Sequence, residues 1–570
     1  MDIIGIKYPG HDTSVCLVRD GIVLACVEEE RFTRKKHTNE FPEHSINYCL
    51  EKSGVTKESI KVIAYYCVPE LQIRKIYNMN FQNRFPCNRI AIGKEYEGFQ
   101  KRKKGIQKIQ DYFPSAKIHF VPHHIAHASS AYYMSDFDKA AILTIDGRGE
   151  YTTSEYFFGK NSSITPLKQI LYPNSIGFVY GAISDYLGLS VGYYKGGLTF
   201  DGEGKLMALA SYGKPYFIDL FRKIITYQGN GNFIIDTKYF QFFDEFSYKM
   251  TDKFVNIFGP PRINNTEFTD THKNIACSLQ IVIEECVLKM LEYLHKKTAC
   301  ENLCLAGGVM LNSCLNGKIA SGKIFKKIFI QPAAGDAGTS LGAALWTFYT
   351  LTGKKYKIPN KEKVYLGPEY YISDKEIENY IKKNNWIIYK PKDIYKTTAK
   401  LLSNEKIIGW FQGRMELGPR ALGNRSILAD PRNVLIRDKV NFKIKGREWF
   451  RPLAPSILKE FTQKYFKIKQ SSPYMLIVAP VIEDKKPLIP AVVHVDGTGR
   501  LQTVSKKDNF KFYNVILEFY KITQIPLVLN TSLNIKGEPI CCSPYDALHC
   551  FENTDMDLLV INDYIIGKKG

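Results

Sequence analysis

The sequence predicts an α/β protein, and two observations carry that reading. Short apolar β-like runs alternate with helical periodicities along the chain, and glycine-rich turns recur directly after several of those runs. A third observation bounds it: with 45% hydrophobic and 24% charged residues among 570, the chain can bury a core, which excludes collagen, disorder and a disulfide scaffold. At about 150 residues per domain the length admits up to four domains, or two large ones.

Taken in order, residues 2–7 (DIIGIK) and 14–27 (SVCLVRDGIVLACV) read as strands. Asp20-Gly21 breaks the second run as a two-residue hairpin signal, so the chain opens with a β-meander. Further strand-like runs lie at 62–67, 141–145, 302–306 and 326–331, and residues 274–296 carry a helical period. The segment 351–370 is polar, lysine-rich and punctuated by turn residues, which predicts two domains, 1–355 and 356–570. Residues 80–112 are basic and aromatic, with KRKK at 101–104, and read as an insertion. It covers a site, binds nucleic acid or is a solvated helix face, the last being the simplest reading. No repeat of fixed period is visible.

Lys and Arg number 78 against 57 Asp and Glu, a net charge of +21, which admits nucleic acid, an anionic membrane surface or small polyanions as partners. Thirteen cysteines without a C-x-x-C pattern do not read as a disulfide framework. The opening residues lack a signal-peptide pattern and no apolar stretch is long enough to span a bilayer, so a reducing, cytoplasmic setting is expected.

Four of the eleven histidines fall between 119 and 127. His123 and His127 are four apart, so a helix opening at Pro122 sets both on one face, as two ligands of one metal require. The bland alternative is a pair of core or surface histidines. Asp146, opening DGRGE after strand 141–145, and Asp336, in PAAGDAG after strand 326–331, favour the metal reading, because open α/β sheets bind ligands at the carboxyl ends of their strands. Two imidazoles with carboxylates suit Fe(II), Mn or Zn, and a hydrated Mg site if the carboxylates dominate.

AGGVMLN at 306–312 brings backbone close to a ribose or phosphate at a helix start, and Lys195-Gly196-Gly197 with Asp201-Gly202-Glu203-Gly204-Lys205 supplies a charged loop. No G-x-x-x-x-G-K-[ST] is present, which excludes a P-loop NTPase. The C-terminal part carries arginines flanked by Gly and Pro, in residues 409–433, 445–452 (KGREWFRP) and 496–500 (DGTGR), followed by NTSLN at 530–534. Such loops are poised to grip phosphate or carboxylate oxygens bidentately.

Gly10-His11-Asp12, Glu28–Phe32 running on to Lys36-His37, His123–Ala128 (HHIAHA), Leu305–Gly308 (LAGG), Gly418–Gly423 (GPRALG) and Arg447–Pro452 (REWFRP) together resemble the O-carbamoyltransferases of the NodU/CmcH family, from residue 1 to about 560. The resemblance implies an N-terminal actin/hexokinase/Hsp70-like ATPase domain, close to the universal tRNA threonylcarbamoyl transferase, joined to a C-terminal YrdC-like α/β domain. It implies chemistry on carbamoyl phosphate and ATP. One site makes carbamoyl-adenylate and pyrophosphate, and the other transfers the carbamoyl group to a substrate hydroxyl, after which AMP leaves.

Carried over by position, the resemblance implies His123, His127, Asp146 and Asp336 as ligands of one divalent metal, Fe(II) favoured and Mg or Mn as alternatives. Gly307, Gly308 and Asn312 would lie beside the nucleotide. His11 is implied as the base or orienting group for the acceptor hydroxyl and Lys36 as a grip on carbamoyl-adenylate. Arg420, Lys445, Arg451, Arg500, Asn530 and Ser532 would hold carbamoyl phosphate and ATP, with Arg414 and Arg425 as close rivals of Arg420. Acceptors of such enzymes include antibiotics, aminoglycosides, nodulation oligosaccharides and toxins, and loops 80–112 and 214–270 are the expected selectors. Two rival readings, carbamoyl-type modification of tRNA and a non-catalytic nucleotide-binding scaffold, are disfavoured: no RNA-binding module is legible, and a scaffold has no use for these residues. Neither nucleic acid nor membrane is an expected partner, and a homodimer is left open.

Overall fold

The computed structural model describes residues 1–73, 89–190, 202–241, 250–371 and 373–568. Lys195-Gly196-Gly197 and Asp201 lie outside these residues. Packing divides the chain into two compact units: Met1–Glu29 with His37–Lys363, and Glu30–Lys36 with Val364–Gly570. Among the described residues no helix is long and apolar enough to cross a membrane, and the cysteines are free thiols.

The first unit is built on two five-stranded sheets. In one, β1 (Asp2–Lys7), β2 (Ser14–Arg19) and β3 (Ile22–Glu28) form the expected antiparallel meander. Its turn is tight because Asp20 and Gly21 both take positive φ, 50° and 87°. β4 (Val62–Tyr65) and β5 (Lys117–Phe120) then add in parallel, giving the order β3-β2-β1-β4-β5. The other sheet has β6 (Lys139–Ile145), β7 (Thr152–Lys160) and β8 (Ser163–Leu171) as an antiparallel meander. After the small hairpin β9 (Ile225–Gly229) and β10 (Asn232–Ile235), strands β11 (Asn302–Ala306) and β12 (Lys327–Ile330) complete the order β12-β11-β6-β7-β8, parallel to β6.

The two sheets therefore share one topology, a duplication that leaves no repeat in the sequence. This doubled meander-plus-two-crossovers arrangement agrees with the actin/hexokinase/Hsp70-like fold expected above. It also corrects the reading of residues 80–112 as an insertion. Parallel neighbours need a crossover of a dozen or more residues, usually helical. Helix Arg89–Tyr112 is that crossover between β4 and β5, in the place held by helix Ser313–Ser321 between β11 and β12.

Helix α1 (His123–Tyr132) follows β5, and helix α2 (Thr339–Thr352) follows β12, so they are counterparts in the two halves. They touch at backbone distance: a β-carbon at Gly342 would lie 1.7 Å from the Ala126 carbonyl oxygen. All ten residues of α1 are buried, among them its three histidines.

The second unit is a mixed nine-stranded sheet, consistent with the α/β expectation. Its central strands are β14 (Ile408–Phe411), β15 (Arg425–Ala429), β19 (Leu527–Ser532), β16 (Ala454–Leu458) and β18 (Thr498–Val504), in that order. Segment Glu30–Lys36 is woven into this unit. Arg31 donates to Gly418 O at 2.9 Å, Arg34 to Pro539 O and Ile540 O at 2.7 and 2.8 Å, and Phe32 packs with Met415, Ile540 and Cys542.

Candidate active sites

In the first unit the two halves meet at their turns and helices. The β1–β2 turn supplies His11 and Asp12, the β6–β7 turn supplies Asp146, helix α1 supplies His123 and His127, and the loop before α2 supplies Asp336. His123 Nε2 and His127 Nε2 are 3.1 Å apart, and both face Asp146 Oδ2, at 3.1 and 2.9 Å. Asp336 Oδ1 lies 3.6 and 3.7 Å from the same two nitrogens. Such spacings match the roughly 3 Å edges of an octahedral shell with bonds near 2.1 Å.

Electrostatics point the same way. Burial alone would depress His127, but hydrogen bonds to Asp146 and Asp336 outweigh it and raise its pKa to about 9. The carboxylates of Asp146 and Asp336 are held low against the opposing effect of burial, Asp146 by His123 and His127, Asp336 by Lys7 and His123. The site favours positive charge, so the donor set fits a divalent cation. His124 does not join it. Burial and its two histidine neighbours push it down to about 3, and its ring bonds Thr144 Oγ1 and Thr152 O instead.

Each ligand is held from behind. Asp146 Oδ1 accepts from Gly147 N at 2.7 Å and Gly308 N at 3.3 Å. Gly307, at φ 96°, is required here because a β-carbon would fall 2.2 Å from Ile145 O. Gly308 thus supports Asp146 directly, and Gly307 packs on the preceding residue, Ile145. Three supporting residues escaped the sequence reading. Glu150, 7% exposed, accepts the first N–H of α1, from His123 at 3.0 Å, and that of Val68 at 2.8 Å. Lys7, 1% exposed, donates to His11 O and stands 3.3 Å from Asp336 Oδ2. Asp12 takes His11 Nδ1 at 2.9 Å and His37 Nδ1 at 2.6 Å, leaving His11 Nε2 turned toward Asp336 Oδ2, 3.8 Å away. Carboxylate partners of this kind had no local signal beyond the acidic residue itself.

Asn312 sits apart. It caps helix Ser313–Ser321 by accepting from Leu315 N at 3.0 Å and exchanges two hydrogen bonds with Gln280.

In the second unit the structure separates the arginines. Arg425 is fully buried and donates to the carbonyls of Gln412, Gly413 and Asn424, with its guanidinium 3.7 Å from the Phe411 ring. Arg414 bonds Leu366 O and Gly367 O. Both are structural. Arg420, by contrast, is held far below the usual arginine range by burial and then by Arg500 and Arg451, and its Nε is buried without a hydrogen-bond partner. Arg447, quoted in the sequence motif but given no role, belongs to the same cluster: burial, Arg451 and Arg500 depress it. Lys445 is brought down to about 7 by burial and Arg447, and its ammonium bonds Ser532 O and Asn534 Oδ1 at 2.8 and 2.6 Å. Asn530 donates to Ser456 Oγ at 3.0 Å while its own Oδ1 is buried and unbonded. Arg420, Arg447, Arg451 and Arg500 repel one another, with Glu448, whose Oε2 lies 3.8 Å from an Arg451 nitrogen, as a carboxylate among them, and such an excess of positive charge suits a polyanion. Glu416 shapes the loop that carries Arg420 by accepting from Leu422 N and Asn424 N. Lys36 lies in the Glu30–Lys36 segment of this unit.

The first unit joins a duplicated α/β fold to a four-residue cluster whose donor set fits a cation, and the second carries clustered guanidiniums on a nine-stranded sheet. Residues 2–345 match the carbamoyltransferase N-terminus and residues 399–568 the carbamoyltransferase C-terminus. The chain belongs to the carbamoyltransferase family and is a carbamoyltransferase enzyme. Nodulation protein NolNO of Sinorhizobium fredii is 38% identical, over 98% of this chain and 79% of its own. An uncharacterized protein of Synechocystis, sll1178, is 38% identical over 99% of this chain and 96% of its own, and MJ1051 of Methanocaldococcus jannaschii 31% over 99% of each. Among solved structures, HypF of T. kodakarensis overlays at a TM-score of 0.36 with 13% identity, over 62% of this chain and 48% of its own, a likeness too slight to bear on function.

Proposed function

We propose that this chain is an ATP-dependent O-carbamoyltransferase that uses carbamoyl phosphate and acts on a hydroxyl of a small-molecule or glycoside acceptor. The observation that carries the reading is the pairing of His11, oriented by Asp12, with the four-residue cation site 3.8 Å away, in a member of the carbamoyltransferase family.

The second unit is suited to the first half of the reaction. Carbamoyl phosphate and ATP repel one another, and Arg420, Arg447, Arg451, Arg500 and Lys445 offset that repulsion with fixed positive charge. Replacing the phosphate of carbamoyl phosphate by AMP consumes one water and releases phosphate and pyrophosphate, leaving carbamoyl-adenylate. The first unit is suited to transfer. A divalent cation bound by His123, His127, Asp146 and Asp336 would supply Lewis-acid polarisation of the acyl oxygen. His11 Nε2 removes the acceptor proton, the acceptor oxygen bonds the carbamoyl carbon, and the bond from that carbon to the AMP phosphate oxygen breaks. Lys7 keeps Asp336 Oδ2 engaged on the His11 side, while Oδ1 faces His123 and His127.

The test is carbamoyl-phosphate-dependent release of pyrophosphate from ATP by the purified chain. Arg451→Ala is expected to abolish it, whereas His11→Ala keeps it and blocks transfer. Equal loss of pyrophosphate release in both variants overturns this division of roles, and carbamoyl label appearing in total tRNA would move the acceptor to RNA.

A further inference from the structure

Helix Arg89–Tyr112 carries the basic run to which the sequence assigned no role. Its final turns belong to the core: Ile109 is buried with Phe113 in the cluster under the first sheet. One turn earlier, Gly105 lies against the Tyr8-Pro9 step, where a β-carbon would fall 2.6 Å from Pro9 Cδ. Within KRKK, Lys101, Lys103 and Lys104 are exposed, but Arg102 turns inward and donates to Gln72 Oε1. Gln72, 2% exposed, donates from Nε2 to Glu95 Oε2 at 2.7 Å. Glu95 Oε1 in turn pairs with the Arg148 guanidinium. The Arg148 and Glu95 side chains are 10% and 14% exposed, so this pair escapes the solvent screening that makes most surface ion pairs worthless.

Arg148 is the third residue of the turn that begins with Asp146. On its inner side that turn rests on α1: a β-carbon at Gly149 would lie 3.1 Å from atoms of both His123 and His124, and Glu150 holds His123 N. On its other side Arg148 meets Glu95 and lies by the Tyr172 ring, 5.5 Å from its centroid, while Ser175 Oγ donates to Gly147 O at 2.7 Å. A helix rooted beside the His11 turn thus reaches across to the Asp146 turn and holds it by one ion pair.

We propose that Glu95 is a positioning residue for Asp146: by holding Arg148 it keeps the Asp146–Glu150 turn seated on α1, with Asp146 Oδ2 in reach of both histidines. The inference rests on reading His123, His127, Asp146 and Asp336 as a cation site. Outer-shell groups bonded to a ligand itself are worth about 10- to 100-fold in metal affinity, and Glu95 acts one residue further out, so the lower end is expected.

The test titrates the full chain with Mn(II) alone, free Mn(II) being counted by electron paramagnetic resonance. The isosteric Glu95→Gln is expected to weaken binding about tenfold, and Glu95→Ala further, with pyrophosphate release from ATP unchanged. Arg148→Met weakens it comparably, and Glu95→Gln combined with Arg148→Met is no worse than Arg148→Met alone, because both act through one pair. Mn(II) affinity within twofold of the parent in both Glu95 variants, or losses that add in full in the double variant, overturns the inference alone. A parent chain that takes up no Mn(II) overturns the cation reading and this inference with it.

Discussion

His11 and Asp12 are neighbours in the chain, and their side chains meet, Nδ1 to Oδ2 at 2.9 Å. Asp12 takes a positive φ of 57° in the turn where this occurs. The carboxylate accepts a hydrogen bond from Nδ1–H and so leaves Nε2 as the basic nitrogen, the tautomer that proton removal from an alcohol needs. Asp12→Asn offers an amide in place of the anion and weakens that preference. Carbamoyl transfer is expected to fall by about 100-fold or more, with pyrophosphate release unchanged. Transfer within a few-fold of the parent shows that His11 is not the base.

Arg420 is half-buried, with its Nε fully buried and unbonded, and has Arg500 and Arg451 for neighbours. A half-buried like-charge cluster is paid for in stability and justified by what it binds. Arg420→Met is therefore expected to raise the thermal midpoint of the ligand-free protein by a few degrees, on the order of 1 kcal/mol, while removing pyrophosphate release. A lowered midpoint would place Arg420 among the structural arginines with Arg425.

Gly342 and Ala126 join the two halves of the first unit at backbone contact. Gly342→Ala forces α1 and α2 apart and is expected to cost about 1–3 kcal/mol, read as a lowered thermal midpoint. Because α1 carries both histidines, Mn(II) affinity falls in the same variant. Stability lost with metal binding untouched would uncouple the helix contact from the site.

Glu155 is buried on β7 and its carboxyl is raised to about 7 by burial, against hydrogen bonds from Thr152 and Gln169. The folded state binds this proton more tightly than the unfolded one, so the stability it contributes is full below the ordinary glutamate range near 4.5 and is lost as pH rises toward 7. Glu155→Gln keeps a neutral acceptor in place. The variant is expected to unfold at a higher temperature than the parent at pH 8, by a few kcal/mol at most, and with no advantage at pH 4. An advantage independent of pH would assign the effect to packing.

Much of the first unit was legible because its signals are local. The Asp20-Gly21 turn, strand 302–306 and the i, i+4 spacing of His123 and His127 are properties of a few adjacent residues. The duplication was not legible, because it resides in which strands pair, and β1 with β4 or β6 with β11 are encounters between distant segments. For the same reason helix Arg89–Tyr112 read as an insertion rather than a crossover. Composition marked an arginine-rich loop, but whether a guanidinium meets carbonyl oxygens, as Arg425 does, or other guanidiniums, as Arg420 does, depends on the folded surroundings. Glu150 and Glu416 escaped notice because a carboxylate that collects backbone N–H groups looks, in sequence, like any surface acid.

Segment Glu30–Lys36 bears on how this protein can be dissected. Seven residues from near the amino terminus complete the second unit, so a gene cut after Lys363 yields a carboxyl-terminal fragment with Phe32 missing from beside Met415 and with the Gly418, Pro539 and Ile540 carbonyls stripped of their arginine donors. Its natural boundary is therefore discontinuous. A fragment meant to stand alone would need that peptide returned to it, by fusion ahead of Val364 or by addition in trans.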